Sequence, residues 1–231
     1  MTPGPSKRPE PPTSIALPAL VPWLVGAALR GHEDYEATDF SGPDLARTEA
    51  TGATFLACLF ERCGLDEASL RHSRFSECLV SEPHASSLDV ADSTWRDTLV
   101  TSPRIGALLA VGTSWSGVRV RGGKIDLLDL NGAKLADVVI EGTVIEELDL
   151  GTAQARWTRL VGCDIGVLDV TGARLTEVDL SGSTIREVRG IEGLRGATIS
   201  PSQLLELAPA LAAHVGLKVR ADQSRKQEDD R

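Results

Sequence analysis

The side chains best suited to nucleophilic or metal chemistry in this 231-residue chain are four cysteines and four histidines. Cys58, Cys63, Cys78 and Cys163 show no C-x-x-C pair of the zinc or redox kind. His32, His72, His84 and His214 are scattered, and no H-E-x-x-H spacing joins them. No G-x-x-x-x-G-K loop is present to cradle a phosphate. These residues predict no catalytic, cofactor or metal site, and the chain is not expected to be an enzyme. One ionisable set is regular: Asp129, Asp149 and Asp169 recur every twenty residues, with Asp89 two steps earlier. Carboxylates held close together repel unless water, cations or backbone N–H groups relieve them. Such a set serves either local hydrogen bonds at corners or an acidic face for a basic partner.

The element that would stack residues twenty apart is written across the chain. Stepping by five from Phe40 to Ile185 meets thirty consecutive apolar residues with no insertion. A second, mostly small or aliphatic series lies two residues before each centre, as at Ala53, Cys58, Ala133 and Val138. Glycine recurs two residues after the centre, as at Gly112, Gly132 and Gly172. A five-residue step rotates about 140° on a helix, so the stripe would wander. On one flat strand it would alternate faces. The pattern works if the chain turns a corner every five residues. The centre and the residue two before it then point inward, and the residue between them points out. Glycine tolerates the backbone angles of a tight corner. Four sides make a square coil of twenty residues, and coils stack at about 4.8 Å. The register from 38 to 188 gives about seven and a half coils, a rod on the order of 36 Å long.

The stretches "ADSTW", "LDLNG", "VDLSG" and "FSGPDL" resemble the consensus of the pentapeptide repeat proteins. That resemblance spans roughly residues 38–199 and implies an all-β fold, a right-handed quadrilateral β-helix. It is closer to the loop-free, MfpA-like members that interact with gyrase than to the Qnr type, because no loop interrupts the register. It implies a non-enzymatic protein-binding module: an acidic, DNA-mimicking rod that docks on DNA gyrase or another type II topoisomerase. The alternative is a structural or scaffolding rod with a different protein partner. Neither reading involves direct nucleic acid binding or a membrane, and both place the protein in the cytoplasm.

Column by column, Phe55, Phe75, Trp95 and Trp115 predict an inner ladder of rings. The cysteines occupy inward positions and are expected to act as small hydrophobes, although a Cys58–Cys78 disulfide is geometrically conceivable. Trp157 falls outside both inward series and is the expected exposed aromatic, either a partner anchor or a cover over a neighbouring coil. The expected partner-contacting residues are Asp89, Asp129, Asp149, Asp169 and Trp157. Lys134 and Arg174, with Arg74, form a basic column, so charge is segregated by face.

Composition agrees with a protein partner. The chain is 42% hydrophobic and only 4% aromatic, with a net charge of −9 that disfavours nonspecific binding to phosphates or anionic lipid. No apolar run reaches the 18 or so residues of a membrane span. Residues 15–29 resemble a signal peptide, but Pro18 and Pro22 interrupt them. The expected organisation is a Pro-rich disordered tail (1–14), an apolar N-terminal cap (15–37), the β-helix (38–199), a C-terminal helical cap or dimerisation element (200–219) and a charged disordered tail (220–231). In the helical segment Ser200 and Gln203 form a capping box with Pro201 in the first turn, and Pro209 should break or kink it. Leu204, Leu207, Leu211 and Val215 form a stripe that either caps the last coil or joins two rods as a homodimer.

Overall fold

The computed structural model of the chain describes residues 10–24 and 27–219, so residues 1–9 of the expected N-terminal tail and the whole expected C-terminal tail, 220–231, lie outside the described residues. Among the described residues, twenty strands, most of them short, form one continuous sheet in which every pairing is parallel. Most partners are twenty residues apart, as in Trp95↔Trp115, Val120↔Ile140 and Leu128↔Leu148. The sheet therefore closes as a stacked square coil, a β-solenoid. All thirty five-step centres are buried except Val100, which is half-buried. Nothing but this alternation is needed to fill the tube, because the chain presents two inward side chains per side.

We name the sides by their central columns. Face I runs from Tyr35 through Phe55 and Trp115 to Leu175, and face II from Phe40 to Leu180. Face III runs from Leu45 to Ile185, and face IV from Ala50 to Val170. The corner from face IV to face I is a tight turn. Ala133 N donates to Leu130 O at 3.0 Å, with φ of +66° at the intervening Gly132. A positive φ at the third residue is the type II signature and explains the recurrent glycine. The corner from face III to face IV is different. Arg47 and Glu67 are left-handed there, but from Ser87 upward no residue is, and single strands such as His84–Asp89 and Lys124–Asp129 run through it.

Both ends are plugged. At the base, Asp34–Glu36 already pair with Thr54–Leu56, so the coil begins just before residue 38. The Trp23 ring lies 5.6 Å from that of Tyr35 and 5.0 Å from that of Phe40, covering the first rung. Val21–Pro22 extend the sheet below Thr38–Asp39. At the top, the register slips by one: Val178 pairs with Ala197. Gly193 makes this possible, since a Cβ there would lie 1.8 Å from the Val170 carbonyl oxygen. The helix Pro201–His214 follows, with both capping-box bonds formed by Ser200 and Gln203. Gln203 also does more. Its buried amide donates to Leu180 O at 2.9 Å and Ser183 O at 2.7 Å, satisfying carbonyls that the last rung would leave bare. Pro209 neither breaks nor ends the helix, which continues to His214. The carbonyl that loses its partner belongs to Leu205, which is exposed and can bond water.

Residues 10–12 lie against the outside of face II. Leu99, Arg119 and Val139 are outward by register yet buried. Arg119 donates from Nε to Pro12 O at 3.0 Å and from Nη2 to Pro11 O at 3.1 Å, and it pairs with Glu141 at 2.8 Å. Glu10 pairs with Arg159 above it. This N-terminal strap is thus fixed to the rod through a buried guanidinium whose charge is compensated.

Candidate functional site

Inside the tube there is no room for a ligand. A residual space of about 40 Å³ lies among apolar side chains that include Phe75, Trp95, Trp115 and Ile105. It has no polar lining to hold water. The cysteines are buried free thiols that donate to carbonyls one rung below, such as Cys163 Sγ to Ile140 O at 3.3 Å. Burial pushes the Cys63 thiol up to about 12 and also raises that of Cys163, so neither is a nucleophile near neutral pH. Among the described residues, no group of three or more His, Cys, Asp or Glu side chains could hold a metal. Among the same residues, no helix is long and apolar enough to cross a membrane. The outer faces are the surfaces the rod offers to other molecules.

Face IV carries the aspartate ladder. Asp129, Asp149 and Asp169 occupy successive rungs of one column. Each accepts a hydrogen bond from the backbone N–H two residues on, at 3.0, 2.6 and 2.8 Å from Asn131, Gly151 and Thr171. Bonds from Thr171 hold the Asp169 carboxyl below the usual carboxylate range, with Arg189 adding to the effect. The corner N–H groups answer the repulsion expected of stacked carboxylates, and the side chains are half-buried as a result. Asp89 is separated from the ladder by Leu109 and is bridged by Arg71 at 2.9 Å. The ladder is therefore three rungs tall, bounded by Leu109 and Arg189.

Face III is mixed and largely self-neutralised. Lys124 pairs with Asp126 and Glu146, and Arg186 pairs with Glu146 and Asp164. On face I the outward columns are basic, with Arg74, Arg96, Lys134, Arg156 and Arg174 all exposed. Trp157, the expected exposed aromatic, is half-buried: the Arg156 guanidinium carbon lies over its ring, 3.3 Å from the centroid. Arg96 and Arg156 were the cations missed from sequence, because they stand one column across from Lys134 and Arg174. Sorting residues by their remainder after twenty would have found them. Of the helix stripe, Leu204 and Val215 are exposed by 50% and 66%, while Leu207 and Leu211 are half-buried.

No protein-family model and no curated protein matches the chain. Solved structures similar to it include a trypsin-treated form of QnrB1, a plasmid-mediated fluoroquinolone resistance protein. That match has 17% identity over 84% of this chain and 98% of that one, with a TM-score of 0.30. Another is HetL, a pentapeptide repeat protein involved in heterocyst differentiation regulation from the cyanobacterium Nostoc. It has 15% identity over 76% of this chain and 86% of that one, with a TM-score of 0.28. Those likenesses are too weak to argue from, and the architecture rests on the register itself. By its period of five and its rung of twenty, the chain is a four-sided parallel β-solenoid.

Proposed function

We propose that this chain is a non-enzymatic protein-binding rod that acts as an interaction scaffold. The observation that carries this reading is the contrast between a tube closed to ligands and flat outer faces of different charge. A rigid rod of stacked rungs offers extended surfaces without needing a cleft. The test is affinity capture from the native host, quantified against a Leu130→Asp control whose core is disrupted. A protein enriched by the wild-type rod, and retained when both are purified and mixed, supports the scaffold. Enrichment of nothing above the control would overturn it.

A second reading has its own observation. The ladder Asp129–Asp149–Asp169, with the chain's net charge of −9, favours an acidic rod that binds a type II topoisomerase. The ladder's three-rung height, and the pairing of Asp89 with Arg71, make this the narrower case. A gyrase supercoiling assay with and without a fluoroquinolone decides it. Inhibition or protection that is lost in Asp129→Ala/Asp149→Ala supports it, and no effect at micromolar protein overturns it. The same rod could work as a homodimer, joined through the apolar helix face bearing Leu204, Leu207, Leu211 and Val215. Sedimentation of wild type beside Leu204→Glu/Val215→Glu tests that: a dimer lost in the variant supports the joint, and a wild-type monomer overturns it. All these readings place the protein in the cytoplasm.

A further inference from the structure

Face I departs from the rest of the surface. Above its lowest rung, where Asp34 and Glu36 face outward, its two outward columns from Thr54 to Thr176 comprise fourteen positions, and these hold five cations and no carboxylate, in a chain whose net charge is −9. The register fixes the arrangement. Arg74, Lys134 and Arg174 stand in one column, and Arg96 and Arg156 in the next. Four cations on other parts of the rod, Arg47, Arg71, Lys124 and Arg186, are each paired with an acid. Among the described residues, none of the five on face I takes part in an ion pair. Arg156 is instead held by the Trp157 ring, which orients a guanidinium without neutralising it.

Four of the five cations, all but Arg74, line an open trough of about 560 Å³. Its middle is low because the rung Ser114–Ser116 and the neighbouring Ala136 carry only small side chains outward. Arg96, Lys134, Arg156 and Arg174 stand around it. The two columns are two strand residues apart, about 7 Å, which is one extended chain wide. Along the rod the cations recur at one or two rungs, about 5–10 Å. Alternate side chains on an extended peptide recur at about 6.6 Å, within that range. Four of the five cations are arginine, whose planar fork matches a carboxylate with two parallel hydrogen bonds. The Ser114 and Ser116 hydroxyls and the Gln154 amide can serve the backbone of such a peptide.

We propose that the face I trough is a docking site for an extended acidic segment of another protein, with Asp or Glu at alternate positions. This rests on the scaffold reading and adds to it a face and a class of partner. A long polyanion fits less well, since nucleic acid affinity draws on many phosphates and the adjacent face IV carries fixed negative charge.

The test is fluorescence anisotropy with a labelled twelve-residue peptide of alternating glutamate and serine. Wild type should bind it, with affinity falling as salt rises. Arg96→Gln/Lys134→Gln/Arg174→Gln should weaken it about tenfold or more. Arg47→Gln/Lys124→Gln/Arg186→Gln removes the same charge from face III and should change it less than about twofold. Equal losses in the two triple variants would reduce the effect to net charge and overturn the site, as would no binding by wild type. Tighter binding of a single-stranded oligonucleotide of equal charge would overturn the peptide assignment. So would self-association of the rod that the face I variant abolishes, since the trough would then hold a second copy. If the peptide fails while host capture still yields a partner, the trough falls and the scaffold reading stands.

Discussion

The lower and upper halves of the rod reach one cross-section by different means. Below the middle, faces I and II are filled by rings: Tyr35, Phe55 and Phe75 stack in one column at 5.3 and 4.9 Å, and Phe40 lies on Phe60 at 4.7 Å. Above Trp115 the same columns hold Leu135, Ala155, Ile140 and Leu160, and the largest sealed side chains become Leu128, Ile145, Leu148 and Ile165. The corners change with the core. In the lower half the left-handed position is often occupied by residues with side chains, such as Ala57, Glu77, Asp97 and Ser102. In the upper half it is more often glycine, as at Gly112, Gly132, Gly142 and Gly172. Left-handed backbone costs roughly 1–2 kcal/mol for a non-glycine residue. The lower half therefore carries more strain at its corners and offsets it with ring contacts worth about 0.5–1.5 kcal/mol per pair beyond area burial. The lesson is that a fixed register constrains position and facing more tightly than residue type.

The strongest way to break the comparison is to charge the core. Leu130→Asp buries an unpaired carboxylate in the aliphatic half, and loss of soluble protein or of the β circular dichroism signal is expected. Asp129→Ala, one residue away and half-buried, should leave the spectrum unchanged. Next in size is truncation. Phe55→Ala should cost about 3–5 kcal/mol, because it removes a ring in contact with four others. Leu148→Ala in the upper half should cost about 2–4 kcal/mol in the same denaturant titration. Equal costs would mean that the ring ladder adds nothing special.

Corner exchange sharpens the contrast at smaller scale. Gly142 has φ of +60° and open space around an added Cβ, so Gly142→Ala isolates backbone strain and should destabilise by about 1 kcal/mol. Ala57→Gly, at φ of +52°, should shift the melting temperature the opposite way. The smallest effect is confined to the strap. Burial works to raise the Glu141 carboxyl, but bonds and charge from Arg121 and Arg119 outweigh it and hold it low. A carboxyl lowered in the folded state stabilises above its ordinary value near 4.5, and that contribution is lost as pH falls below it. Limited proteolysis within residues 13–20 should therefore speed up below pH 4.5 while the rod stays intact. An unchanged cleavage rate would remove Glu141 from the anchor.

Much of this was legible in the sequence, because the period of five is a local rule repeated without interruption. The inward columns follow from it, and the capping box is legible from the spacing of Ser200 and Gln203. What escaped depends on contacts the period does not encode. Arg119 is outward by register, and its burial comes from Pro11 and Pro12, more than a hundred residues earlier. A trace did exist: Leu59, Leu79, Leu99 and Val139 are apolar at outward positions of face II, which signals a cover. Gln203 hides its second role because bare carbonyls at a solenoid end have no sequence mark. The aspartate ladder was legible as a column, but its half-buried hydrogen bonding is set by corner geometry. The trough needed two columns read together.

The central claim is that the five-step positions belong to the fold and the residues between them to recognition. Thiol accessibility tests it most directly, since the four native cysteines are buried and silent by this account. Leu128→Cys, Asp129→Cys and Leu130→Cys should be compared by reaction with a soluble disulfide reagent under native conditions. Asp129→Cys should gain one fast thiol over wild type, and the other two none until the protein is unfolded. Fast native labelling at Leu128→Cys or Leu130→Cys, in protein that keeps its circular dichroism, would contradict the inward register on which the fold and its faces depend.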